Sequence, residues 1–244
     1  MELTGYSSDA AIDLKTGSQT IIMRNDGDSE LLVRIERTAS RQDAVTAADA
    51  SAVALFRELF PEQVLSAGQM VSVETITILM VELMAADQLY KDLGDGKAFT
   101  QIHQALRFFD ATIRQHQGAV VKSVGEGITA VFHQATDALQ AAIALVNNSD
   151  EALPDADERP RTAIHQGPAM VTTIDDRLDY FGTTVKVAEQ LLHSGRNGQI
   201  ILSSEIAGSP GINDILRQHD NRSLLVDRES LYQYPTIFPH RLLM

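Results

Sequence analysis

The chain has 244 residues, an apolar fraction of 44% and a formal charge of −13, from 20 Lys and Arg against 33 Asp and Glu. That length fits one large domain, or one of ordinary size with an appended piece, and so acidic a surface repels nucleic acid and anionic membrane, leaving neither as an expected partner. The absence of cysteine excludes disulfides and thiolate metal sites, while the lack of a transmembrane-length apolar run or of signal-peptide blocks in MELTGYSSDAAIDL predicts a cytoplasmic chain.

Taken in order, the first patterned stretch is TIIMRNDGDSELLVRIERT, two strand-like runs around Asn25, Asp26, Gly27 and Asp28, which predicts a hairpin. In VTAADASAVALFRELF, Thr46 with Asp49 three residues on resembles a capping box, and Ala50, Val53, Phe56 and Leu59 share a helical face. Pro61 follows its end. SAGQM then marks a boundary, giving an N-terminal segment at 1–70 and a second unit at 71–244.

ETITILMVELM is nearly continuous apolar and β-branched, as a strand covered on both faces requires, and it ends near the acid Glu82. Phe99, Ile102, Leu106, Phe109 and Ile113 recur at three- and four-residue intervals, predicting one buried helical stripe closed by Gly118. The hairpin VVKSV/ITAVF follows, then a helix burying Ala138, Ala142, Ile143 and Val146, then the acidic loop NNSDEALPDADERP. Beyond it come strand-like RTAIH and AMVTTI, a helix over TTVKVAEQLLH ending at Ser194 and Gly195, and the strand QIILSS. The order strand, helix, hairpin, helix, strand predicts an α/β fold of ferredoxin-like βαββαβ type. It carries an appended helix and strands, and the small N-terminal hairpin and helix precede it.

Within VVKSVGEGITAVF the two apolar runs meet at Gly125, Glu126 and Gly127, the composition of a tight turn. Glu126 at its tip reads either as a solvated turn residue or as a metal-binding acid. In the predicted order Glu82 and Glu126 fall on neighbouring strands at one sheet edge, where two carboxylates could share divalent ions.

Across 71–204 the chain resembles the class III adenylate and guanylate cyclases. The matching stretches are ITILMVEL, GAVVKSVGEGITAVF, AIHQGPAM, LDYFGTTVKVA and GQIILSS, in the family's order and spacing. The part through DAVTAADASAVALFRELF is similar to the segment that precedes the cyclase domain in a group of bacterial cyclases. The resemblance implies attack of a ribose 3′-hydroxyl on the α-phosphate of ATP at a site between two chains, hence a homodimer, with Mg²⁺ or Mn²⁺ as cofactor in an active member.

By the resemblance, the metal ligands are aspartates in the family and Glu82 and Glu126 here, each one methylene longer, against an ion that tolerates little departure from octahedral geometry. Met84, Ala85, Ala86 and Asp87 replace a glycine-containing turn whose amides approach the triphosphate. Lys122 and Asp179 match the base-reading lysine and aspartate, in the combination associated with adenine. Lys186 and Gln190 stand where the family has a ribose-orienting asparagine and a transition-state arginine. The spacing keeps both on one helix face, but Gln190 carries no charge, and loss of a preorganised cation costs roughly 100-fold in rate.

Two expectations follow. One is a catalytically impaired cyclase-like signalling domain that binds ATP weakly and acts through dimerisation. The other is a low-rate adenylate cyclase using Glu82 and Glu126 on Mn²⁺, with Lys186 in place of the arginine.

Overall fold

A computed structural model describes residues 70–84, 86–149, 159–174 and 177–218, and further on 225–226, 231, 234, 237 and 239–243. The predicted N-terminal hairpin and helix lie outside the described residues. Strand β1 (Met70–Glu82) leads into helices α1 (Ala86–Leu93) and α2 (Asp95–Gln115), then the hairpin β2 (Ala119–Val124) and β3 (Gly127–Phe132). Helix α3 (Ala135–Asn147), strands β4 (Arg161–Ile174) and β5 (Arg177–Phe181), helix α4 (Thr183–Ser194) and strand β6 (Gln199–Leu202) follow. Short helices α5 (Ser204–Ala207) and α6 (Ile212–Gln218) and strands β7 (Leu225–Val226) and β8 (His240–Leu243) complete the described chain.

The sheet order is β2-β3-β1-β4-β6-β8-β7, with β5 paired to β4. Its first four strands have the βαββαβ order expected from sequence, and β6 to β8 extend the sheet beyond β4. Because successive strand residues point to opposite faces, β1 divides its apolar side chains between two cores. Leu79 and Val81 join the cluster containing Ile102, Phe109 and Leu139 of α2 and α3. Ile78 and Met80 join the one containing Val187, Ala188 and Leu191 of α4. Both faces of β1 are covered, which is why its sequence shows no alternation.

The stripe on α2 differs from expectation at one position. Ile102, Phe109 and Ile113 are buried, but Phe99 is 62% exposed, and it stacks on His103 at the surface. Ala98, Ala105 and Thr112 share the buried face instead, because small residues let the helix lie close to the sheet. The helix end also differs from expectation. Gln117, not Gly118, takes the left-handed conformation (φ 64°). Gly118 is needed for space, since a Cβ there would overlap the buried Phe132 ring and Ile113.

RTAIH and AMVTTI, expected as separate runs, form the single strand β4. On the edge away from β1, β4 pairs with β6 at 162–164 and with β5 at 170–174. Between those ladders stands Pro168, which has no N–H to donate. On the other edge, the β1 register shifts between Val73 and Ile76, opposite Ala169 and Gly167. The proline is tolerated because pairing is interrupted beside it on both sides.

Candidate functional site

The β2–β3 turn has positive φ at Gly125 alone (54°), matching a hairpin whose first central residue is glycine. Gly127 serves a different purpose: a Cβ there would lie 2.8 Å from the Val81 carbonyl oxygen. This close approach seats the turn against the end of β1. Glu82 is in register with Gly127 on one side and with Arg161 on the other, and the Leu83 N–H donates to the Glu126 carbonyl at 3.3 Å. The two acids singled out from sequence thus arrive at one sheet edge.

Their side chains differ in circumstance. The Arg161 guanidinium donates to Glu82 Oε2 from Nε at 3.1 Å and from Nη2 at 2.6 Å. Its Nη1 donates to the Gly195 carbonyl at the end of α4, at 3.3 Å. The pair is largely enclosed, with side chains 29% exposed for Glu82 and 12% for Arg161. Glu126 is half-buried, and no described side chain pairs with its carboxylate. Among the described residues no group of three potential ligands is assembled for a metal ion. As they stand, these residues do not fit a resident divalent cation: one of the two acids already shares an oxygen with a guanidinium, which leaves Glu126 alone.

Arg161 was not a candidate from sequence. The topology held the signal, since an acid ending one strand and a base opening its antiparallel neighbour must face each other.

Asp87 is exposed in the first turn of α1. There a carboxylate interacts favourably with the helix N-terminus, the same partial positive charge that an incoming phosphate would use.

Lys122 and Asp179 are brought together. Lys122 Nζ lies 3.1 and 2.9 Å from the two Asp179 oxygens and 5.8 Å from the centre of the Phe181 ring. Asp179 Oδ1 also accepts the Tyr180 N–H at 2.8 Å, so its carboxylate is oriented by backbone as well as by the lysine.

Lys186 and Gln190 lie on α4, which begins after Gly182 (φ 122°), a conformation that favours glycine. Lys186 is exposed, and its ammonium donates to Glu189 Oε2 at 2.8 Å. That hydrogen bond, with the Glu189 charge, raises the lysine pKa above its ordinary value. A lysine so held stays protonated, with its charge offset by its own neighbour. Gln190 is half-buried beside it.

One further titratable cluster lies in the core between β4 and α5. His165 Nδ1 and the Ser203 hydroxyl share a 2.9 Å hydrogen bond, and Glu205 Oε2 lies 3.7 Å away. Burial pushes the His165 pKa down, with Glu205 opposing it. The imidazole is therefore neutral at pH 7, and Ser203, which also caps α5, is fully buried. The arrangement holds β4 to α5, with His165 and Ser203 buried and Glu205 at the surface.

No curated protein matches the chain in sequence. Among solved structures it is similar to the adenylyl cyclase CyaB from P. aeruginosa, at 14% identity and a TM-score of 0.57, covering 72% of this chain and 96% of that one. It is also similar to an adenylate/guanylate cyclase/hydrolase from Silicibacter pomeroyi (20%, TM-score 0.55, 72% and 99%). A third likeness is to the guanylate cyclase domain of RhGC from Catenaria anguillulae in complex with GTP (12%, TM-score 0.56, 70% and 97%). At these identities the likenesses establish the fold. The model of the adenylate and guanylate cyclase catalytic domain matches residues 69–221, more than half of the chain, so the chain belongs to that family.

Proposed function

We propose that this chain is a class III nucleotidyl cyclase-like signalling domain with impaired catalysis, binding ATP weakly and acting as a homodimer. The observation that carries the reading is the contrast between two pairs. Lys122 and Asp179 stand assembled, as a donor and an acceptor offered together to an adenine edge. On α4, by contrast, Gln190 is neutral and the Lys186 charge is offset by Glu189. A pentacovalent phosphate in transit accumulates negative charge, and an exposed, flexible lysine is a weaker stabiliser of it than a preorganised planar cation. Recognition is kept while rate acceleration is lost.

The retained pair also favours a second reading, a low-rate adenylate cyclase that converts ATP to cyclic AMP and pyrophosphate with Mn²⁺. A cyclic AMP assay with ATP and Mn²⁺ separates the two. Turnover of roughly 1 s⁻¹ or faster, an ordinary enzymatic rate, overturns the impaired reading. Sedimentation tests the homodimer, and a chain that stays monomeric at high concentration would remove that part of the proposal.

A further inference from the structure

We infer that Arg161 is the resident counter-ion of Glu82, so the first acid of the site is neutralised by the protein's own guanidinium and does not take a divalent metal. The inference rests on the family reading above and concerns what that site holds.

Three observations converge on it. Glu82 and Arg161 are register partners on adjacent antiparallel strands, so the backbone ladder itself sets their meeting. The contact is a fork: Nε and Nη2 both reach Glu82 Oε2, and the planar guanidinium gives up little further freedom in making the second bond. The third donor, Nη1, is tied to the Gly195 carbonyl, so the guanidinium is anchored from behind as well as in front.

A hydrated divalent ion binding Glu82 would have to displace this fork, or share one carboxylate with a fixed positive charge in a partly enclosed site. Both are opposed by Coulomb repulsion that the surrounding low dielectric strengthens. Displacement would also leave the Arg161 charge largely buried without its acid, which is the costly way to break such a pair. The extra methylene of glutamate fits this role, because it carries the carboxylate out to the guanidinium. Glu126, half-buried and without a described partner, would then be left as a lone metal ligand, too few for a dedicated site.

The test is Mn²⁺ binding to the full chain without nucleotide, read from loss of the free-ion electron paramagnetic resonance signal. Three variants are compared with the parent: Glu82→Gln, Arg161→Gln and the double change. Glu82→Gln leaves the Arg161 charge uncompensated near Glu126 and should not tighten Mn²⁺ binding. Arg161→Gln should tighten it by about tenfold or more, and the double change should abolish the gain. A several-fold loss of affinity in the double change relative to the parent would overturn the inference, since that change removes one charge of each sign and Glu82 would then be a metal ligand beside its arginine. No gain in a folded Arg161→Gln would overturn it equally. If Arg161→Gln does not fold, the double change, which leaves neither charge unpaired, still decides. The readout contains no nucleotide, so its failure is distinguishable from the appearance of cyclic AMP, which bears on the functional reading.

Discussion

Lys122 and Asp179 stand 57 positions apart in the chain and meet through both carboxylate oxygens, joining β2 to the outlying strand β5 within one protomer. In the proposed reading this is the base-recognition pair, and its two members are carried by one chain. Replacing either residue with Ala should weaken ATP binding about tenfold, the equivalent of about 1.4 kcal/mol, and should remove the preference for ATP over GTP. The fold should lose under about 1 kcal/mol, as for a partly exposed pair. Calorimetry with both nucleotides checks this, and equal affinities in the parent chain would refute the assignment.

Turnover should respond to repair only as a set. Glu82→Asp, Glu126→Asp, Lys186→Asn and Gln190→Arg together should raise cyclic AMP formation well above the parent, while single changes do little, because groups that act as a unit are strongly non-additive. Glu82→Asp has a second consequence here. It withdraws the carboxylate from the Arg161 fork, freeing it for other partners. A repaired chain that folds, dimerises and binds ATP with Mn²⁺ yet makes no cyclic AMP would show that the block lies elsewhere, with Asp87 the next residue to change.

Gly127→Ala should destabilise the domain by roughly 1–3 kcal/mol, the usual range for overpacking. The obstacle is the Val81 carbonyl oxygen at 2.8 Å, part of the backbone of a central strand with nowhere to retreat. Gly125→Ala has space around it but must adopt positive φ, so its cost should be smaller, about 1 kcal/mol. Urea denaturation orders the two, and the reverse order would contradict the distinction drawn between space and conformation.

Stability should fall under mild acid through His165. Its folded-state pKa lies below the ordinary 6.5, chiefly because of burial, so the unfolded chain binds the proton more readily. The stabilisation is complete above about pH 6.5 and is lost as pH falls from there toward the folded value. His116, also lowered mainly by burial, acts in the same direction. Thermal melts between about pH 7.5 and 5.5 should show the decline, and His165→Asn should flatten part of it. An unchanged slope in that variant would remove His165 as a cause.

The order of the main strands and helices was legible in sequence because each left a distinct period, whereas the short elements α1 and β5 were not expected. ITILMV is apolar without alternation, and the α3 residues Ala138, Ala142, Ile143 and Val146 recur at helical spacing and are all buried. Phe99 misled because periodicity weighs large side chains above small ones, whereas Ala98 gains more from contact with the sheet. The acids at 82 and 126 could be placed together by strand order alone. Arg161 could not be found by residue type or motif, because its significance arises only from what stands opposite it in the ladder. Contacts such as Lys186 with Glu189 depend on rotamers, which spacing permits without selecting.

Pro168 divides β4 into two ladders that share one backbone. Below it, residues 161–165 are fastened within the body of the sheet by β1 and β6. Above it, the end of β4, the start of β1 and all of β5 form a three-stranded flap, whose inward side chains Val73, Ala169, Val171 and Tyr180 are buried in one cluster with Val187 and Leu191 of α4. In hydrogen-exchange terms the edge ladder between β4 and β5 should open more readily than the ladders beneath Pro168. Asp179 rides on that flap and Lys122 belongs to the body. Their contact is therefore also a clasp, and cutting it should speed the exchange of β5 amides while leaving those of 161–165 as slow as before.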